Sequence, residues 1–239
     1  EDYVSWNWKA GTTTGLSGGT ITPTAYSINT TSGFGVYAYT GSGSNATIAH
    51  GLGVAPTFMM VKRLNSTDSW RVYHSGIGPT KYMTLNSTAA ETTEATIWNS
   101  TAPDATVFSI GTDSSTNTNT DTYIAYVFAP IKGFSAFNMF QGNADDNGPF
   151  CFTGFRPAIV IMKKSGSGSA ANWQLSNTKM SSAGGANVIN RQMLPDTAAT
   201  AQTEDSMDLL SNGFKIRNGD AHFNQNLQPF IYAAFAEFP

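Results

Sequence analysis

The sequence predicts an all-β protein: two tandem β-sandwich domains of jelly-roll-like type, preceded by an orphan N-terminal strand. Three observations support this prediction. An aromatic, strand-like segment occurs three times, the segments between its copies recur in the same order, and short apolar runs alternate with turns rich in Gly, Ser, Thr and Asn. Short strands separated by turns are typical of sandwiches, and about eight strands per domain suit a jelly roll.

The repeated segment reads DYVSWNWK at 2–9, TYIAYVFA at 122–129 and PFIYAAFA at 229–236. Its aromatic positions align twice, Tyr3 with Tyr123 and Phe230, and Trp8 with Phe128 and Phe235. Aromatic and β-branched residues favour strands. Successive side chains of a strand point to opposite faces, and both faces of the second and third copies are apolar. We therefore expect these two strands to be covered on both faces.

The order of the remaining segments predicts the domain boundaries. Each half has a Gly-Phe strand (33–34 and 133–134), a strand that starts with Pro and ends in two basic residues, a Trp strand and the aromatic strand. The prediction is an orphan strand at 1–10, a Gly/Thr linker at 11–32, one module at 33–130 and a second at 131–239. The orphan strand either ends a module that precedes this sequence or is donated to another subunit. Domains of roughly 100 residues are common.

The strand and loop predictions follow from alternation and turn residues. In the first module we expect strands at 36–40, 46–50, 57–63, 70–74, 81–85, 96–98, 107–110 and 122–129, and a short extended edge piece at 20–24. In the second module we expect strands at 150–153 and 214–217, and a loop or one turn of helix at 198–208. Polar loops at 112–121 and 218–228 should correspond to each other.

Composition excludes several classes of protein. The net charge of -3 argues against a basic surface for nucleic acid. With 40% hydrophobic residues in strand-length runs, disorder is not expected. No apolar run is long enough to cross a bilayer. The only cysteine, Cys151, lies between two phenylalanines and is expected to be a buried, unreactive thiol.

The sequence contains no recognisable catalytic constellation. It has no phosphate-binding loop and no Ser-His-Asp arrangement, and His50, His74 and His222 are far apart in the chain. We therefore predict no enzyme activity, no catalytic residue and no cofactor. Asp145, Asp146 and Asn147 form a weak candidate loop for a cation, but they lack the alternating spacing of a calcium loop. A solvated turn is the favoured interpretation.

Two sets of residues are candidates for binding. Trp70 with His74, and Asn172 with Trp173, combine an aromatic ring with a polar group, as a glycan contact requires. The alternative, which we favour, is that both Trp residues fill equivalent core positions. The second set is the orphan strand, whose side chains Tyr3, Val4, Trp6 and Trp8 could complete the sheet of a neighbouring subunit by strand addition.

Several longer strings show a resemblance to a known family. They read DYVSWNWKAG, HGLGVAPTFMMVKR, TYIAYVFAPIKGFSAF, DNGPFCFTGFRPAIVIMKK, LLSNGFKIRN and FIYAAFAEFP. Together they cover nearly the whole chain, which resembles large virion proteins of marine tailed bacteriophages with repeated, lectin-like β modules. The resemblance implies that residues 1–10 close a preceding module. It supplies no catalytic residues.

The expected function is therefore that of a virion structural protein, in a tail fibre, an appendage or the capsid surface, acting in assembly and host-surface adhesion. Its expected partners are other copies of itself and other virion proteins, with no nucleic acid and no membrane insertion. Its expected location is the surface of the virion. One alternative is a lectin-like module that binds a host-surface glycan, and a less favoured one is a surface polysaccharide hydrolase.

Overall fold

The structure is a computed structural model that describes residues 7–9, 11–167, 170–180 and 188–239. The described residues are 41% strand and 4% helix, with several antiparallel sheets, so the predicted all-β sandwich fold is confirmed. The helices in these ranges have four residues each, and none is long or apolar enough to cross a membrane.

The first module is defined here by its sheets and spans residues 25–128. Its elements are β1 (Ala25–Asn29), β2 (Phe34–Thr40), β3 (Ala46–Ala49), β4 (Phe58–Arg63), β5 (Arg71–His74), β6 (Lys81–Thr84), β7 (Thr92–Thr93), β8 (Val107–Ile110), α1 (Ser114–Asn117) and β9 (Thr122–Phe128).

The second module spans residues 135–235. Its elements are β10 (Ser135–Gln141), β11 (Phe150–Phe152), β12 (Ile159–Lys164), β13 (Gln174–Asn177), β14 (Val188–Gln192), β15 (Gln202–Leu210), β16 (Gly213–Ile216), α2 (Ala221–Asn224) and β17 (Pro229–Phe235).

The strands form four sheets, two in each module. Sheet 1 has seven strands in the order β1-β2-β9-β4-β5-β6-β7, and sheet 2 has the pair β3-β8. Sheet 3 has the order β10-β17-β12-β13, and sheet 4 the order β11-β16-β15-β14. The second module thus has eight strands in two sheets of four, whereas the first module is uneven.

The sheets stack into four layers with three apolar cores between them. The first core lies between sheets 2 and 1, and the second core between sheets 3 and 4. The shared core joins the outer faces of sheets 1 and 3. It contains Phe34, Phe58, Val72, Ile77, Met83, Phe128, Phe134, Phe137, Trp173, Ile231, Ala233 and Phe235. Whether each module is an independent domain stays a prediction, because both contribute to this core.

The shared core explains why the aromatic strands are apolar on both faces. In β9, Tyr123 and Val127 face the first core, while Phe128 faces the shared core. In β17, Phe230 faces the second core and Phe235 the shared core. The expectation that both faces are covered is confirmed. The second apolar face of the terminal strand is thus buried against the first module.

Trp8 belongs to the same aromatic cluster within its own chain. Its ring centroid lies 5.7 Å from that of Phe128 and 5.2 Å from that of Phe235, the two positions aligned with it in the repeat. Trp8 is half-buried and lies outside any strand. The ring packs within its own chain, and the role of this segment in a strand donated to another subunit stays a prediction. Tyr3, Val4 and Trp6 lie outside the described residues.

Four local predictions are corrected. Residues 25–29 of the predicted linker form β1, which pairs along β2 and buries Ile28. Residues 96–98 are turns, and Ile97 and Trp98 are buried in the first core from this turn. Residues 202–210 form β15, whose Met207 and Leu209 face the second core. The two polar loops contain the short helices α1 and α2.

The match of the Gly-Phe segments is also shifted by one residue. Phe34 lies opposite Phe128, whereas Ser135, not Phe134, lies opposite Phe235. The edge prediction for 20–24 agrees with the structure in kind, since Ile21 makes an isolated bridge to Ile48. Cys151 is buried, as expected, and burial raises the pKa of its thiol to about 12.

Candidate functional site: a polar cavity in the second module

The candidate site lies where the edges of sheets 3 and 4 meet. Leu175 and Met193 form an isolated bridge, with both backbone N–H groups donating to the partner's carbonyl at 2.9 Å. This bridge joins the edge strand β13 to the chain that leaves the edge strand β14. Residues on either side of a bridged position point away from it. The side chains of Gln174, Gln192 and Leu194 are thereby brought to one place.

These side chains border a cavity of about 310 Å³. Its walls come from the start of β13, the end of β14, the start of β15 and the turn into α2. The lining residues are Asn172, Gln174, Gln192, Leu194, Gln202, Glu204, Asp220, His222 and Phe223. The cavity is thus lined mainly by amides and carboxylates, with Leu194 and Phe223 as its apolar part, and none of its lining residues is Lys or Arg.

Several residues of this cavity carry a buried polar atom that has no hydrogen-bond partner among the described residues. Gln174 is 3% exposed and Gln192 is 1% exposed, and the Oε1 atom of each has no partner. The same is true of Nδ1 of His222. Most buried polar groups in proteins are hydrogen-bonded, and an unsatisfied one costs about 1–3 kcal/mol. Three residues that line one cavity each carry such an atom, which indicates a place suited to polar groups.

The helix α2 positions the side of the cavity that faces solvent. Asp220 is its N-cap, and the Asp220 carboxylate accepts a hydrogen bond from the backbone N–H of His222 at 2.8 Å. Phe223 is 1% exposed and belongs to the second core, which holds the helix against the sandwich. Asp220 and Glu204 are exposed, so their charges lie at the rim.

Two lysines lie close behind the site. Lys163 donates hydrogen bonds to the carbonyl oxygens of Thr88 and Ala171, and Lys164 donates to Oε1 of Gln225 at 2.6 Å. Burial lowers the pKa of Lys163 to about 8, and the nearby Asp196 carboxylate opposes this shift. Since both ammonium groups are engaged elsewhere, neither lines the cavity.

The equivalent corner of the first module is occupied by a side chain. Strand registers make Arg71 equivalent to Gln174, since Arg71 lies opposite Val61 as Gln174 lies opposite Met162. The Arg71 guanidinium donates to Oγ of Ser115 at 2.8 Å and to Oγ1 of Thr84 at 3.2 Å. It also stacks over the ring of Tyr82 at 4.7 Å. Ser115 occupies the position in α1 that His222 occupies in α2.

Comparison with known proteins identifies one family. A family model described as Domain of unknown function (DUF7483) matches residues 1–239, which is the whole chain. The chain belongs to this family. No curated protein matches it significantly. No solved structure matches it significantly either. Membership in the DUF7483 family assigns no ligand or activity, so the chemistry of the site must be argued from its residues.

The residues predicted to contact a glycan lie in three different places. Asn172 lines the polar cavity and donates to the Asp196 carboxylate at 3.2 Å. Trp70 is half-buried beside Tyr126 in an apolar cavity of about 530 Å³. His74 and Trp173 are 0% and 1% exposed. The predicted glycan contacts of His74 and Trp173 are therefore corrected, because burial between the modules leaves neither side chain free to contact a ligand.

His74 and Trp173 instead connect the two modules. Nε2 of His74 lies 3.1 Å from the carbonyl oxygen of Tyr232, and Nδ1 accepts a hydrogen bond from the backbone N–H of Gly76 at 3.0 Å. Burial lowers the pKa of His74 to about 4. The indole N–H of Trp173 donates to the carbonyl of Thr84 at 2.9 Å. The favoured core interpretation of Trp173 agrees with these contacts.

The weak cation loop forms a hydrogen-bonded turn. The Asp145 carboxylate accepts from the backbone N–H of Asn147 at 2.7 Å, and the Asp146 carboxylate accepts from the N–H of Gly219 at 2.8 Å. Within the described ranges, no group of three or more His, Cys, Asp or Glu side chains could hold a metal ion.

Sequence reasoning missed most of the polar cavity. Gln174 and Gln192 were not among its candidates, since glutamines in a chain rich in polar residues give no signal on their own. One signal was present: the residue after the repeated Trp is Arg71 in the first module and Gln174 in the second. A difference at one position between two repeats marks a place where the modules differ in role.

Proposed function

We propose that this protein is a bacteriophage virion structural protein, part of a tail fibre, an appendage or the capsid surface. It acts in assembly and in adhesion to the host surface, and it is not an enzyme. The resemblance of its sequence strings supports the virion location. The observation in the structure that supports the assembly role best is an exposed aromatic edge on sheet 4.

That edge is strand β11, the outermost strand of sheet 4. Its two phenylalanines, Phe150 and Phe152, are 45% and 64% exposed, while Cys151 between them faces the core. Unpaired edge strands offer backbone hydrogen-bonding groups to another chain, and natural proteins usually protect them with charges. This edge strand is short, but it carries two exposed aromatic rings and no charged side chain, which suits a contact with another copy of this chain or with another virion protein.

The stacked sheets suit a rigid structural component of a particle. The modules share an apolar core, and hydrogen bonds cross between them, such as those from Lys163 to the Thr88 carbonyl at 2.9 Å and from the Glu91 N–H to the Ser165 carbonyl at 3.0 Å. Large apolar interfaces between domains oppose relative motion. The two modules would thus present their surfaces at a constant relative orientation.

Hydrolysis of a polysaccharide is not proposed. Glu204 and Asp220 both line the polar cavity, but both are exposed, and Asp220 already caps α2. Glycosidase chemistry requires one carboxyl group kept protonated by apolar surroundings. Neither carboxylate has such surroundings.

The test is to locate the chain in purified particles of the phage that encodes it. Mass spectrometry of the particles should detect the chain, and antibody labelling should place it on their surface. The variant with both Phe150→Ser and Phe152→Ser should fold but be incorporated less well, with Phe238→Ser, at a 77% exposed residue, as the control. Absence of the chain from particles would overturn the virion role, and normal incorporation of the double variant would overturn the role of the β11 edge.

A further inference from the structure

We infer that the polar cavity of the second module binds a single neutral sugar unit of a glycan. The inference gives the adhesion role proposed above a ligand class and a site, and its biological meaning rests on that role. The binding itself depends only on the cavity.

The hydrogen-bonding groups of the cavity match hydroxyl groups. An amide side chain both donates and accepts, as a sugar hydroxyl does. Asn172, Gln174, Gln192 and Gln202 supply such amides. The Oε1 atoms of Gln174 and Gln192 and Nδ1 of His222 have no hydrogen-bond partner in the part of the chain that the structure describes, and both glutamines are more than nine-tenths buried. Bound hydroxyls would provide the missing partners.

The charges at the rim select against anions. Glu204 and Asp220 are the carboxylates of the cavity, and no Lys or Arg is among its lining residues. A phosphate or an acidic sugar would meet two carboxylates, whereas the ammonium groups of the nearby Lys163 and Lys164 are hydrogen-bonded elsewhere and do not line the cavity. Among the described residues, no group of three or more His, Cys, Asp or Glu side chains could hold a metal ion that would bridge the carboxylates to an anion. A neutral polyol is the chemistry that remains.

The size and the apolar part of the cavity agree with one pyranose ring. Its volume of about 310 Å³ lies at the lower end of the roughly 300–1,000 Å³ typical of ligand sites. Leu194 is half-exposed and offers an apolar contact for the C–H face of a ring. The remaining units of a longer glycan would extend past Glu204 and Asp220 into solvent.

The first module supplies an internal contrast. There, Arg71 occupies the position of Gln174 and makes its own hydrogen bonds to Ser115 and Thr84. The Arg71 guanidinium is thus hydrogen-bonded within the chain and fills the corner, which leaves no room for a ligand. In the second module the long cationic side chain is replaced by a shorter neutral one, which leaves the corner open. We therefore assign binding to the second module alone.

The test is titration of the purified full chain with methyl glycosides of glucose, galactose and mannose and with N-acetylglucosamine, followed by calorimetry and by NMR of the sugar. At least one should bind, and Gln192→Leu and Gln174→Leu should each weaken binding by about tenfold. The matched control is Gln141→Leu, an exposed position on β10 at the opposite edge of sheet 3. It should bind like the parent, and thermal unfolding of all variants checks that they fold.

Three results would overturn the inference. They are binding of none of these neutral sugars by the parent chain, equal binding by the parent and the Gln192→Leu variant, or tighter binding of an acidic sugar such as N-acetylneuraminate. Since this experiment uses purified protein, its failure would leave the virion location untouched. Detection of the chain in particles would likewise say nothing about the sugar.

Discussion

The two modules share a six-stranded framework and differ in where the next two strands go. In both modules the aromatic strand lies between the Gly-Phe strand and the Pro-led strand, followed by the Trp strand: β2-β9-β4-β5 in one and β10-β17-β12-β13 in the other. The pair β3-β8 likewise corresponds to β11-β16. In the first module, β6 and β7 extend sheet 1, whereas in the second module β14 and β15 extend sheet 4.

This difference determines which module has a polar cavity at the end of its Trp strand. We call β6 and β7 of the first module, and β14 and β15 of the second, the variable strands. Because β14 and β15 join sheet 4, their polar ends face the Trp strand β13 and the helix α2 across a gap. When the variable strands stay in the first sheet, as β6 and β7 do, the corner closes around Arg71. The same framework therefore supports either a closed, structural corner or an open, polar one.

Other details recur in both modules. The stacked pair Tyr39–Tyr123, at 5.1 Å, corresponds to Phe140–Phe230, at 4.9 Å. Asn117 and Asn224, the last residues of α1 and α2, are fully buried and hydrogen-bond the preceding loop in the same way, each accepting from one backbone N–H and donating to a backbone carbonyl. These shared contacts hold the framework, so the cavity is a local variation on it.

The largest expected effect tests whether the shared core treats both modules alike. Phe128→Ala and Phe235→Ala should each lower the free energy of unfolding by about 3–5 kcal/mol, since both rings are nearly fully buried in the shared core. Urea unfolding measures the loss. Phe238→Ala, at a 77% exposed residue, should change stability by less than about 0.5 kcal/mol. A large loss at only one of the two equivalent positions would show that the core belongs mainly to one module.

The next effect uses the pair His74 and Asn177, which occupy equivalent positions. Burial lowers the pKa of His74 from the ordinary value of 6.5, which holds for the unfolded chain, to about 4 in the folded protein. The contribution of neutral His74 to the free energy of unfolding is therefore fully present above pH 6.5. It is lost as pH falls toward 4, by up to about 3 kcal/mol. The measurement is the free energy of unfolding by urea at intervals between pH 7 and pH 4.

The substitution His74→Asn places in the first module the residue type that the second module has at the equivalent position, Asn177. Asn177 accepts a hydrogen bond from the N–H two residues later, as His74 does from Gly76, so the turn should survive. The variant should lose stability less steeply below pH 6.5 than the parent. An unchanged slope would mean that other groups, such as His50, whose pKa is also lowered by burial, produce the acid sensitivity.

The smallest effect compares the two corners directly. Arg71→Gln should cost about 1–2 kcal/mol, because it removes charged hydrogen bonds and a stacking contact with Tyr82. Gln174→Leu should be neutral or slightly stabilising, since Oε1 of Gln174 makes no hydrogen bond that would be lost. Thermal unfolding of both variants gives the comparison. Equal losses would mean that the two corners have the same structural role.

Much of the fold was predictable because periodicity and repetition are local signals. The aromatic strands, the strands at 36–40, 57–63 and 107–110, and the double burial of β9 and β17 follow from residue alternation. At 96–98 and 202–210 the local pattern did not indicate the turn and the strand that the structure has there. The same holds for the site, because Gln174, Gln192 and His222 come from separate elements that only the sandwich brings together.

The order of apolar and polar residues along short segments establishes the all-β class, the repeated modules and the strands that must be covered on both faces. The tertiary structure alone decided what covers those strands and which corner stays open. Both depend on which sheet the variable strands join. That choice is made by long-range packing, and no short segment of the chain encodes it.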